Sequence, residues 1–130
     1  MVRRVTTWLV EEGVVGVNIT VHIYYEGSNG SARKFAEEME SSGTADAVRQ
    51  EAGNIKYEYF FPIKDSETVL LIDSWNNQEA IDLHHATPMM ATIAELRDEY
   101  DLHMRVERYI SDDAGIPKTD DKFIRKRGRR

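Results

Sequence analysis

The 130-residue chain contains no cysteine. That absence removes disulfides, thiolate metal sites, iron–sulfur clusters and cysteine nucleophiles together, and makes a reducing, cytoplasmic setting the expectation. No run of about 20 apolar residues exists, so no membrane-spanning helix is expected. The basic residues 1–4 precede an apolar segment that breaks at Glu11 and Glu12, which does not fit a signal peptide. Glycine-rich nucleotide loops and the serine-hydrolase elbow are missing. His84 and His85 have no acidic residue three or four positions further on, so neither a metal nor any other cofactor is expected.

What is present fits one soluble domain, with 41% hydrophobic and 31% charged residues. The formal net charge of −6 is unevenly distributed. Residues 118–130 hold seven Lys/Arg against two acids; removing them from the 17 basic and 23 acidic residues of the chain leaves 10 and 21, a net −11. So acidic a body repels a phosphate backbone, and no nucleic-acid partner is expected. The basic end reads as a solvated tail. The chain divides into an arm or extra strand over residues 1–16, a domain over 17–111 and a flexible basic tail over 112–130.

Residues 17–25 alternate strictly, with Val17, Ile19, Val21, Ile23 and Tyr25 on one face, a strand signal. After a turn, Ser31 is placed to cap a helix carrying Phe35 and Met39, and residues 44–52 continue it up to Gly53. A second strand over 54–61 sets Ile55, Tyr57, Tyr59 and Phe61 on one side. A short polar link leads to a third strand, 68–75, as in an antiparallel hairpin. Asn76, with Glu79 three positions on, predicts a capped helix, and Thr87-Pro88 restarts it. Its stripe is Met89, Ile93, Leu96 and Tyr100; alternation over 102–110 makes a fourth strand.

The order β-α-β-β-α-β predicts an α+β fold: a ferredoxin-like antiparallel sheet with helices on one face. The other face then needs a cover, and a homodimer is the simplest one.

Several segments resemble the antibiotic biosynthesis monooxygenase (ABM) family. These are residues 49–57, Arg-Gln-Glu-Ala-Gly-Asn-Ile-Lys-Tyr, the Asp73-Ser74-Trp75 strand end, and Ala80, His84 and Thr87-Pro88 in order. The resemblance implies a dimeric α+β barrel with a small-molecule pocket in each subunit between sheet and helices. Family chemistries include cofactor-free oxygenation of quinols and polyketide aromatics, haem degradation, and isomerisation of a phosphorylated signal compound. Where the polyketide oxygenases carry asparagine and tyrosine around the tryptophan, this chain has Leu71 and Ile81. Between Pro88 and Tyr100 it has no histidine to serve as a haem ligand.

Among candidate residues, His84 stands on the helix face expected to meet the sheet, where an imidazole can take a proton near neutrality; its alternative role is packing the helix end. Trp75 offers an aromatic wall and one N–H donor, or ordinary core packing. Asp73 shares its face, and is expected either to orient a pocket group or to pair with a cation such as Arg49. Asn54, Tyr57 and His22 are further substrate-binding candidates; against these stand a turn-satisfying amide, a core aromatic and a polar interface residue. The function expected is cofactor-independent monooxygenation of a small hydroxylated aromatic or quinol. The alternatives are isomerisation of a small phosphorylated carbonyl compound, or ligand binding without chemistry.

Overall fold

In the computed structural model, which describes residues 17–128, the alternating stretch forms β1, Ile19–Glu26. It pairs antiparallel on both flanks, with β3 (Thr68–Trp75) through Ile23 and Leu71 and with β4 (His103–Ile110) through Ile23 and Val106. β2 (Asn54–Phe60) lies outside β3, so the sheet runs β2-β3-β1-β4. The helices are α1 (Ser31–Ser41), α2 (Thr44–Arg49), α3 (Gln78–His85) and α4 (Met89–Glu99). This is the ferredoxin-like α+β arrangement that the element order predicts.

All four helices bury residues against one sheet face. Phe35 and Met39 of α1, Val48 of α2, Ile81 of α3, and Ile93 and Leu96 of α4 join Ile19, Tyr25, Tyr57, Leu71 and Trp75 in a single core. Phe35 sits at its centre, its ring 4.8 Å from Tyr25 and 6.2 Å from Tyr59. Spacing at i and i+4 on α1 meets spacing at i and i+2 on the strands, so each period delivers its apolar set to the same layer.

Four local expectations are corrected. Gly30, in the left-handed region at φ 79°, precedes α1, and the Ser31 hydroxyl accepts the Ser28 amide instead of capping the helix. α2 stops at Arg49 and does not reach residue 52. Asn77, not Asn76, caps α3 by accepting the Ala80 amide at 2.8 Å, because the Asn76 amide still donates to Gly53 O at the sheet end. That shift leaves Glu79 one position short of a capping box. Finally, the ladder steps from Asn54–Trp75 to Lys56–Ser74, so Ile55 is the extra residue of a β-bulge and is exposed rather than inward.

Gly53 joins the α2 turn to β2 at φ 86°, and a Cβ there would stand 2.6 Å from the Ala80 Cβ. Only glycine fits both the backbone and the approach of α3. Residues 112–128 are exposed and include a 3-10 helix at Lys118–Phe123. The expected arm or strand over residues 1–16 lies outside the described residues. Among the described residues, no helix is long and apolar enough to cross a membrane.

Candidate active site

Cross-strand pairing sets Tyr57, Asp73, Val21 and Arg108 in one row on the helix-covered face. Trp75 follows Asp73 on the same side of β3, and α3 lies over it. Between this face and α3 and α4 is a cavity of about 310 Å³. Its walls are largely apolar, from Ile23, Leu71, Trp75, Ile81 and Ile93, with Asp73, Tyr57 and His84 among the polar groups that reach it. Few polar groups converging in an apolar recess is the usual construction of a small-molecule site.

His84 is 4% exposed and its ring lies 4.8 Å from that of Trp75, tilted by 31°. Its Nδ1 is 2.9 Å from Glu51 Oε1. Glu51 arrives from the turn between α2 and β2, and its second oxygen is buried without a hydrogen-bond partner among the described residues. A carboxylate accepting from Nδ1–H fixes the imidazole tautomer and leaves Nε2 with the lone pair. Thr87 Oγ1 donates to His84 O at 2.8 Å and pins the end of α3.

Asp73 accepts the Trp75 Nε1–H at 2.6 Å. Burial pushes its carboxyl up to about 6, opposed by that hydrogen bond and by His84 nearby, and assisted by Glu51. A carboxyl poised there exchanges protons close to neutrality. The pairing of Asp73 with Arg49 is corrected: the Arg49 guanidinium is taken by Glu40, by Asp46 and by Tyr57 O. Burial also drives the phenols of Tyr57 and Tyr25 far up, which keeps both as neutral donors.

The structure therefore brings His84, Trp75 and Tyr57 together and leaves two other candidates elsewhere. Asn54 lies outside the cavity, beside an open groove over β2, where its amide donates to Lys56 O and Ser74 O at 3.3 Å each. His22 stands on the opposite sheet face, 5.0 Å from the Tyr109 ring and 4.0 Å from Glu107. Sequence reasoning missed Glu51, Tyr25, Arg97 and Arg108 as cavity or cavity-supporting groups. Arg108 carried a signal: it interrupts the apolar side of β4 between Val106 and Ile110. Among the described residues, no three metal-ligating side chains converge.

Comparison with known proteins decides the family. The antibiotic biosynthesis monooxygenase model matches residues 18–96, more than half of the chain. The chain belongs to this family. Solved structures share the fold at low identity. A conserved protein of unknown function from Bacteroides thetaiotaomicron, described as a possible oxidoreductase, superposes with TM-score 0.65 at 18% identity, over 74% of this chain and 99% of its own. A protein from Deinococcus radiodurans described as a "putative antibiotic biosynthesis monooxygenase" gives 0.62 at 20%, over 70% and 89%. A conserved protein from Methanosarcina mazei gives 0.64 at 17%, over 75% and 96%. No curated protein matches. In this ABM chain the matched segment carries Glu51, Asp73, Trp75 and His84, and α4 as far as Leu96.

Proposed function

We propose that this ABM-family protein is a cofactor-independent monooxygenase of a small hydroxylated aromatic or quinol. The observation that carries this reading is the pairing, in one apolar cavity, of a raised carboxyl at Asp73 with a carboxylate-bound imidazole at His84. Two titratable groups in such different surroundings divide acid and base roles between them. His84 Nε2 takes the phenolic proton, Trp75 stacks on the ring, and Asp73 with Tyr57 holds the substrate oxygens. The electron-rich anion reduces O2, one oxygen enters the product and the other leaves as water. The protein contributes orientation and a dry recess. The unit that acts is a homodimer that covers the sheet face opposite the described helices.

The test is oxygen uptake in chelator-treated buffer with quinols and anthrones. His84→Ala is expected to fold and to lose about a hundredfold or more in turnover. Unchanged turnover in that variant removes His84 from the chemistry.

A second reading, isomerisation of a small phosphorylated carbonyl compound, draws support from Arg97 and Arg108, which line the same cavity. It predicts proton exchange with deuterated water under argon and no oxygen consumption.

A further inference from the structure

Two guanidinium groups reach the cavity from the β4 side, and among the described residues neither has an acidic partner. Arg97 of α4 is half-buried and donates to the Met104 thioether at 2.9 Å, a weak acceptor for a cation. Its charge bears on the buried Tyr25 hydroxyl, so it acts inside the recess. Arg108 donates to the neutral Gln78 amide oxygen at 2.5 Å. Arg49, by contrast, is paired with Glu40 and Asp46, and Arg105 with Glu107. Arg108 is exposed, so desolvation bears only on the half-buried Arg97, and an anion between the two meets both charges.

Counting charges narrows the ligand. Asp73 and Glu51 together match the two arginines over the site as a whole, but Arg108 is separated from Asp73 by the intervening strand β1 and has no acid of its own among the described residues. On a hydroxylated aromatic, the group that meets an unpaired guanidinium at neutral pH is a carboxylate. Position matters as well. Arg108 and Asp73 occupy one cross-strand row with Val21 between them, so their Cα atoms are two strand spacings, roughly 10 Å, apart. With both side chains on the cavity side, a single substituted ring spans that interval.

We infer that the substrate is a phenol bearing a carboxylate, its hydroxyl facing Asp73 and His84 and its carboxylate bound by Arg108 in the field of Arg97. This rests on the oxygenase reading for the hydroxyl end only; the anion site stands on its own charges.

Calorimetry on the full chain at neutral pH, comparing gentisate with hydroquinone, tests it. Gentisate should bind at least about tenfold tighter, since an arginine–carboxylate contact is charge-assisted. The preference should shrink as salt rises. Arg108→Gln should abolish most of it and Arg97→Gln a smaller part, with hydroquinone binding unchanged; Arg108→Lys should restore some. Circular dichroism checks that the variants fold; if a glutamine variant does not, the lysine variant and the salt series decide. Equal binding of the two probes overturns the inference, as does a gentisate preference that survives both substitutions. Tighter, arginine-dependent binding of dihydroxyacetone phosphate than of gentisate overturns it in favour of a phosphate ligand. Arginine-dependent gentisate binding without oxygen uptake supports the anion site and overturns the oxygenase reading. Oxygen uptake with equal kcat/KM for both probes does the reverse.

Discussion

Glu51 Oε1 lies 2.9 Å from His84 Nδ1 although the two residues are 33 positions apart, one in the turn after α2 and the other in the last turn of α3. Gly53 makes this meeting possible, because its missing side chain lets α3 approach the turn that carries Glu51. The pair behaves as a unit: the carboxylate sets which imidazole nitrogen is free, and the imidazole supplies a partner to a carboxylate that water scarcely reaches.

That relationship predicts non-additive losses. Glu51→Gln keeps a hydrogen-bonding group but removes the charge, and should lower turnover by about tenfold or more while leaving KM little changed. Combined with His84→Ala it should add almost nothing, because the positioning has no imidazole left to act on. Steady-state kinetics on the two single variants and the double variant measure this, and a fully additive double variant would separate Glu51 from His84.

Asp73 predicts a stability effect of definite sign. Its carboxyl titrates at about 6 in the folded chain against 3.8 ordinarily, so between these values the folded state binds more protons than the unfolded one. Stability from this group therefore falls as pH rises through that window, by about 3 kcal/mol at the most. Asp73→Asn removes the ionisation and keeps an oxygen for Trp75 Nε1. The difference in unfolding free energy between Asp73→Asn and the parent, from urea melts, should shift in favour of the variant from pH about 4 to about 6 and then level off. A difference independent of pH would contradict the raised carboxyl.

How far the sequence led follows from which signals are local. The alternation in β1 and β4, the short polar link before β3 and the stripe of α4 are local signals, and the sheet with its helices was legible from them. Trp75 and His84 were legible because each ends an element that must pack on the other. The bulge at Ile55 was not, because it depends on the cross-strand register at Trp75 and Ser74. Glu51 lies within residues 49–57, but nothing local marks its role, since its partner comes from a distant helix. Arg49 looked available to Asp73 until folding set it against Glu40.

Gly53→Ala tests the close approach directly. A Cβ 2.6 Å from that of Ala80, on a backbone at φ 86°, combines steric overlap with a strained conformation. The expected cost is about 2–4 kcal/mol. Ala80→Gly in the same chain should recover the overlap part and leave the backbone part, which urea melts of the two variants separate. Because α3 must back away in Gly53→Ala, the Glu51–His84 contact should loosen as well, and turnover should fall beyond what unfolding explains.

The sheet face opposite the described helices carries the last prediction. Phe60, Leu70, Tyr24 and Arg105 form one row across it, and Glu58, Ile72, His22 and Glu107 the next. Leu70 and Ile72 are only half-buried in the isolated chain, Phe60 is exposed, and the Arg105 guanidinium stacks 3.9 Å over the Tyr24 ring. If a copy of the chain covers this face about a two-fold axis, the same mixed apolar and charged patch is buried on both partners. If the two copies bury about 800 Å² each, as stable dimers do, sedimentation at micromolar concentration should give twice the 15.0 kDa chain mass. Leu70→Lys puts a second cation into the Arg105 row, where the long side chain can lift its charge to water without disturbing the helix-side core. It should sediment at the single-chain mass with the native circular dichroism spectrum. A parent chain that is already monomeric at that concentration would leave the face uncovered, and the dimer would fall with it.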